Sequence, residues 1–456
     1  MRKYAWEKYD EQKVKEVYDY AKGYQSFISK CKTERECVSE VIEMAKQHGF
    51  YDIKDVIQNQ ITLKKGDGVY ANNMNKAIVL YRIGDDIREG MRIIGSHIDC
   101  PRMDIKANPL YENDGFAYLD THYYGGIKKY QWTAIPLAMH GVVCLKDGTT
   151  IQIVIGEEDD DPVFGVSDLL VHLSSDQMSK KASLVIEGEQ LDIIVGSKPI
   201  NEEKESVKKA ILILLKDKYG MEEDDFLSAE LEIVPAGKAR DFGLDRAMVY
   251  GYGQDDRSCA YTSLTAFFDE KEVKQTSVCL LVDKEEVGSN GATGMHSLFF
   301  ENMCAEVMNA CGCYSELNLR RSLSASKMLS SDVAAGYDPS FSSAFEKKNA
   351  AFLGQGICFM KFTGVRGKSG ANDANAEYMA YLRSILDDAN ITYQTSEIGK
   401  VDQGGGGTIS YILAKYDMEV IDCGIPVLNM HAPWELTSKA DLYEGYQAYR
   451  VFLAVE

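Results

Sequence analysis

The sequence predicts an α/β protein: a mixed sheet covered by helices, interrupted by an inserted β-rich domain. Three observations carry this expectation. Short apolar runs of strand length alternate with helical stretches up to about residue 105. From 106 to 245 the alternation gives way to short β-like runs, Gly and Asp turns and few helical patterns. After 246 the strand–helix alternation returns and continues to the C-terminus. The expected organisation is therefore a discontinuous main domain, 1–105 with 246–456, and an insertion, 106–245. A length of 456 residues, more than one ordinary domain, agrees with that division.

The elements follow in order. Residues 11–48 read as two helices; Thr33-Glu-Arg-Glu36 is a capping box and Gly49 a stop. Residues 77–81 and 92–95 are short apolar runs that read as buried strands, and the second delivers Ser96-His97-Ile98-Asp99. In the insertion, Lys146-Asp-Gly-Thr149 is a hairpin signal between 141–145 and 151–155. Tyr124-Gly-Gly126 is a turn, 157–162 is an acidic solvated loop, and 205–219 is an amphipathic helix. Beyond 246, helices are expected at 260–271, 295–310, 373–388, 409–416 and 438–455. Residues 277–282 form a strand ending at Asp283-Lys-Glu-Glu286, and 420–430 an extended stretch that delivers His431.

Composition narrows the function classes. Hydrophobic residues make up 45% of the chain, enough for a substantial core. Fifty basic against seventy acidic residues give a net charge of −20, which argues against nucleic acid or an anionic membrane as partner. The opening MRKYAWEKYDEQK has no apolar signal region, and the best apolar run, 210–215, is far too short to span a bilayer. A cytoplasmic protein is expected. The 11 cysteines are scattered, most in apolar surroundings, and read as free thiols; Cys311-Gly-Cys313 is too isolated for a zinc knuckle.

Chemistry concentrates where strands end. His97 and His431 follow apolar strand-like runs, and carboxylates gather at Asp255-Asp256, Glu285-Glu286 and Asp332. In an open α/β sheet the carboxyl ends of strands are where ligands bind. His97, Asp255, Glu286, Asp332 and His431 supply two imidazoles and three carboxylates, enough for two adjacent divalent metal ions with open positions. Such ligands without thiolate suit zinc, cobalt or manganese. Glu285, beside Glu286, stands where a general base is needed. The plainer readings are a helix cap at Asp255-Asp256, a solvated strand end at Glu285-Glu286 and an N-cap at Asp332. His48, His122, His140 and His296 read as structural.

Five blocks resemble, in order, the metal-site blocks of the M18 aminopeptidases, which include the aspartyl aminopeptidases. They are Gly95-Ser-His-Ile-Asp-Cys-Pro-Arg-Met-Asp-Ile-Lys106, Gly253-Gln-Asp-Asp-Arg257, Asp283-Lys-Glu-Glu-Val-Gly-Ser289, Ser330-Ser-Asp-Val-Ala-Ala335 and Asn429-Met-His-Ala-Pro-Trp-Glu435. The resemblance runs from near residue 20 to the C-terminus. It implies a zinc-peptidase (phosphorylase/hydrolase-like) fold and a metal-dependent aminopeptidase acting on peptides with a free N-terminus. His97 and Asp332 would bind one metal, Glu286 and His431 the other, and Asp255 would bridge them. Asp99 would orient His97, and Glu285 would pass the proton from water to the leaving amine. The inserted domain would serve assembly into a homo-oligomer, a dodecamer built from dimers.

The segment Val166-Ser-Asp-Leu-Leu-Val-His-Leu173 resembles one from which a histidine reaches a neighbouring subunit's active site. The usual histidine is missing there, with Asp168 near its place, and His172 becomes the candidate for metal or substrate contact. Gly370-Ala-Asn-Asp-Ala-Asn-Ala-Glu377 carries no cation for an acidic side chain, though Arg366 and Lys368 are near, so acidic and neutral first residues both stay open. Gln403-Gly-Gly-Gly-Gly-Thr408 is either a backbone donor to substrate or a flexible turn. Two other readings fit the same residues: a dinuclear amidohydrolase or deacylase of a small amide, and a non-catalytic assembly protein that keeps the fold.

Overall fold

The computed structural model describes residues 4–201, 204–370 and 372–454. Ala371, in the 370–377 segment singled out above, lies outside them, as do residues 1–3 of the opening stretch. The chain forms two compact units. The first comprises Met1–Asp99, Ala239–Met430 and Glu435–Glu456; the second comprises Cys100–Lys238 and His431–Trp434.

The first unit is built on a nine-stranded mixed sheet. Its centre is four parallel neighbours: Thr276–Val282, Met91–His97, Lys327–Ser331 and Glu419–Gly424. Antiparallel strands flank them, Ala77–Arg82 on one side and Ile357–Met360 on the other. Successive residues of the central strands enter different cores. Ile94, Leu281 and Leu329 join helices Glu11–Lys30, Glu34–Gln47, Gln254–Asp269, Ala376–Asp388 and Lys439–Ala454. Ile93, Leu280 and Met328 join helices Phe299–Ala310 and Glu316–Ala325. Side chains alternate between sheet faces, so two apolar cores demand the unbroken apolar runs seen in the sequence. A second, five-stranded sheet in this unit carries Pro426–Leu428 and Glu435–Ser438.

The capping box forms as expected, with Thr33 and Glu36 bonding each other's backbone amides. Elsewhere tertiary contacts redraw the boundaries. Residues 295–298 make turns, with His296 N donating to Ser289 O at 3.1 Å, so that helix starts only at Phe299. The extended stretch expected at 420–430 splits into strands of two different sheets, Glu419–Gly424 and Pro426–Leu428. At the break, a Cβ on Gly424 would lie 1.8 Å from Asp332 O, so no larger residue fits. Helix Glu316–Ala325 and strand Lys327–Ser331 have too little periodicity to be read in advance.

The second unit holds a six-stranded antiparallel sheet containing Thr150–Ile155, Leu137–Cys144, Ala229–Pro235, Arg102–Asn113, Phe116–Tyr124 and Ile193–Gly196. Its hairpin turns at Lys146–Thr149, with Leu145 N donating to Thr149 O at 2.8 Å and Gly148 at φ +89°. Helix Ser206–Tyr219 ends at Gly220, whose amide donates to Lys216 O. Among the described residues no helix is long and apolar enough to cross a membrane.

Candidate metal centre

Three adjacent parallel strands end together in the first unit. Val282 is in register with His97, and Ser330 with Gly95. His97 closes its strand, Glu285 and Glu286 follow Val282 in a short 3-10 turn, and Asp332 follows Ser331. Parallel register therefore carries groups distant in sequence to one edge of the sheet, as open α/β sheets do. Asp255 comes from the first turn of Gln254–Asp269, which is distorted there, and the Asp255–Asp256 peptide is cis.

His97 is 2% exposed and surrounded by carboxylates. Its Nε2 is 3.2 Å from Asp255 Oδ1 and 3.8 Å from Asp332 Oδ1. Its Nδ1 is 3.0 Å from the Asp99 carbonyl oxygen and 3.3 Å from Asp99 Oδ1. Burial disfavours the imidazolium, but Asp255, Asp332 and Asp99 outweigh it and hold the pKa well above the ordinary histidine value. Asp99 is wholly buried; its two carboxylate oxygens accept the amides of Glu285 at 3.1 Å and Glu286 at 3.2 Å. Burial first, then Asp332, Asp255 and Asp99, push the Glu285 carboxyl up to about 8, against the opposing pull of His97. Asp256 is raised well above the carboxylate range, by burial and then by Asp332.

One ligand triplet lies within the first unit: His97, Asp255 and Asp332 offer one ligand atom each within 4.8 Å of one another. His431 has Nδ1 2.8 Å from Gly126 O, the turn singled out in the sequence. The donors are imidazole nitrogen and carboxylate oxygen without thiolate, a set that fits zinc, cobalt or manganese. Carboxylates crowded in a buried site are costly without a cation among them, so the residues present fit such an ion. His172 sits exposed on the 3-10 turn Val171–Leu173 of the second unit and is not part of that triplet.

A family model described as aminopeptidase I zinc metalloprotease (M18) matches residues 27–453. The chain belongs to the M18 family. It is a metallo-aminopeptidase, a hydrolase of the zinc metalloprotease type. A probable M18 family aminopeptidase 1 from Clostridium acetobutylicum is 58% identical over 454 residues, covering 99% of this chain and 98% of that protein. The crystal structure of an M18 aminopeptidase from Thermotoga maritima superposes with a TM-score of 0.95 at 41% identity, covering 100% of this chain and 99% of that one. The structure of the mApe1 dodecamer from S. cerevisiae has a TM-score of 0.75 at 21% identity, over 95% and 96% of the two chains, and shares the fold.

Within this M18 chain, three supports of the site escape a reading of the sequence. Asp256 Oδ2 accepts the His97 amide at 3.3 Å. Glu435 Oε2 accepts the Asp255 amide at 3.1 Å. Arg257, wholly buried, donates from Nε to Ile98 O at 3.3 Å and from Nη2 to Lys32 O at 2.6 Å, tying down the turn after His97. Asp256, Arg257 and Glu435 lie inside the blocks quoted above, but sequence gives no sign of which backbone groups they serve. Of the other histidines, His48 stacks on Phe268 with ring centroids 4.3 Å apart, His140 Nε2 lies 3.1 Å from Glu157, and His296 Nε2 lies 3.1 Å from the Tyr411 hydroxyl.

Proposed function

We propose that the cluster holds two divalent metal ions and removes single residues from the N-termini of peptides. His97 and Asp332 serve one ion, Glu286 and His431 the other, and Asp255 serves both. The observation that carries this reading is the largely buried group of His97, Asp255 and Asp332, with ligand atoms within 4.8 Å of one another, at the same sheet edge as Glu285 and Glu286; imidazole and carboxylates gathered so closely suit divalent ions. Zinc follows from the family description, and cobalt or manganese suit the same donors. Bound ions would polarise the scissile carbonyl and activate a water.

The chain's own residues then do the following. With an ion in place of the Nε2 proton, the Nδ1–H of His97 would donate to the Asp99 carbonyl oxygen and the Nε2 lone pair would face the ion beside Asp255 and Asp332. Asp99 aligns the turn carrying Glu285 through the same carboxylate that lies beside the imidazole. Glu285 takes the proton of the attacking water and returns it to the leaving amine. Without ions, burial and the neighbouring carboxylates raise this group above the ordinary glutamate value; bound cations would draw it back down, toward a base that can both accept and release a proton. The surrounding carboxylates favour a free α-ammonium group, which confines cleavage to the first residue.

A homo-oligomer is part of the reading, a dodecamer built from dimers, with the second unit as its assembly domain. The apolar surface of exposed Leu169, Leu170, Val171 and Leu173 beside His172 supports contact between copies. His172 is the residue expected to touch metal or substrate in a neighbouring copy. The free cysteines, most of them buried, support a reducing compartment, the cytoplasm. A panel of aminoacyl-p-nitroanilides, acidic, neutral and basic, assayed with chelated protein and with added zinc, cobalt or manganese, tests the activity. Metal-dependent release is expected. Silence across the panel with two ions bound per chain would overturn the assignment.

A further inference from the structure

In the second unit the six-stranded sheet and helix Ser206–Tyr219 leave a cavity of about 210 Å³ between them. Met139, Ile153, Ile155 and Leu231 of the sheet and Leu214 and Leu215 of the helix line it. Among the described residues, Lys218 and the Tyr219 hydroxyl are the only polar side-chain groups on its wall. Interiors are packed like organic crystals, with few voids larger than a water.

This void has a cause in the sequence. The strand register pairs Ile153 with Gly141 and Gly141 with Leu231. The middle of that row across the sheet carries no side chain, and none can be added, because a Cβ on Gly141 would lie 1.9 Å from Glu230 O. The helix is held at both ends, which keeps it from settling into the space. Glu112 Oε2 accepts the amides of Val207 at 2.8 Å and Lys208 at 2.9 Å, and Gly220 caps the other end at φ +70°.

Lys218 supplies the only charge on the wall. Its ammonium group is exposed, 5.2 Å from the centre of the Tyr219 ring, and pairs with no carboxylate among the described residues. It stands in the field of Asp160 and Asp161. Of these, Asp161 is already taken up through Oδ2 by the amides of Gly156 at 3.1 Å and of Glu157 and Glu158 at 3.3 Å.

We propose that this cavity binds a medium-chain alkyl carboxylate, with the tail inside and the carboxylate at Lys218. An apolar cavity of about 150 Å³ lined by such side chains stays dry and takes one benzene. The space here, about 210 Å³, therefore holds a tail of about eight carbons. The apolar wall rejects a ligand charged along its length, and the single ammonium group selects an anionic head. Nothing in the inference depends on the peptidase reading.

Calorimetry on full-length, metal-loaded protein tests it with octanoate as the probe. Octanoate should bind saturably, one per chain, and raise the thermal midpoint as its concentration rises. Hexanoate should bind about fifteenfold more weakly, since each buried methylene is worth about fourfold. The neutral 1-octanol should bind about threefold more weakly than octanoate, as suits an exposed ammonium partner. Leu214→Trp, at a helix position 61% exposed beside the opening, should abolish binding. Lys218→Met should bring octanoate down to the level of 1-octanol. Both variants should keep the wild-type thermal midpoint without ligand. Absence of saturable binding, or binding that both variants leave unchanged, would overturn the site. So would octanoate binding only as sedimentation shows oligomers coming apart, because the cavity would then belong to a side chain of a second copy.

Discussion

Strand Thr276–Val282 of the nine-stranded sheet is buried along its whole length, whereas strand Thr150–Ile155 of the six-stranded sheet alternates exposed and buried positions. The contrast extends to the charged groups. In the first unit Asp422 is wholly enclosed, and burial pushes its carboxyl up to about 6 despite hydrogen bonds from Thr408 and Ser410. In the second unit Asp161 lies at the surface, and the amides of Gly156 and Glu158 hold it below the usual carboxylate value. A sheet covered on both faces carries its chemistry at strand ends in low dielectric, where charges perturb one another. An antiparallel sheet with a wet face leaves its carboxylates to solvent and local amides.

The contrast can be broken most forcefully at the strand-end carboxylates. Glu285→Gln should lower kcat by about 10³-fold, roughly 4 kcal/mol of barrier, while metal content by elemental analysis stays that of the wild type. Near wild-type turnover would remove Glu285 as the base. Packing gives the next largest difference. Leu280→Ala, fully buried in the first sheet, should cost about 2–5 kcal/mol by denaturant unfolding. Val154→Ala, 41% exposed in the second, should stay within about 0.5 kcal/mol. Similar losses at both would mean that the two sheets are packed alike.

The third test sharpens the electrostatic half. A carboxyl raised from 3.8 to about 6 on folding binds its proton more tightly in the native state. Its contribution is fully present below the unfolded value and is lost as pH rises through about 6, to the extent of about 3 kcal/mol. In chelated protein the stability of the wild type relative to Asp422→Asn should therefore fall by that amount between about pH 4 and pH 6.5. A flat difference would show that Asp422 is no more perturbed than a surface carboxylate.

Much of this was legible in the sequence because strands buried on both faces write continuous apolar runs. The runs before Ser96 and Asp283 fix where two strands end, and so where His97 and Glu285 must stand. Asp332 was harder to place structurally, since its strand reads Lys-Met-Leu-Ser-Ser and its serines are buried without being apolar. Arg257 was illegible in its role: its partners are carbonyls 225 and 159 residues away, on Lys32 and Ile98. The division of 420–430 between two sheets was hidden for the same reason, because the crowding at Gly424 comes from Asp332, far off in the chain.

That crowding bears on how the protein can change over generations. Gly424 has no functional group, yet any added carbon there collides with the backbone of a metal-ligand candidate, Asp332. In a saturation scan scored for activity it should rank with His97, and Asp332 should tolerate no more than Gly424 does. Part of the heritable specification of this active site is written as an atom that must never be added.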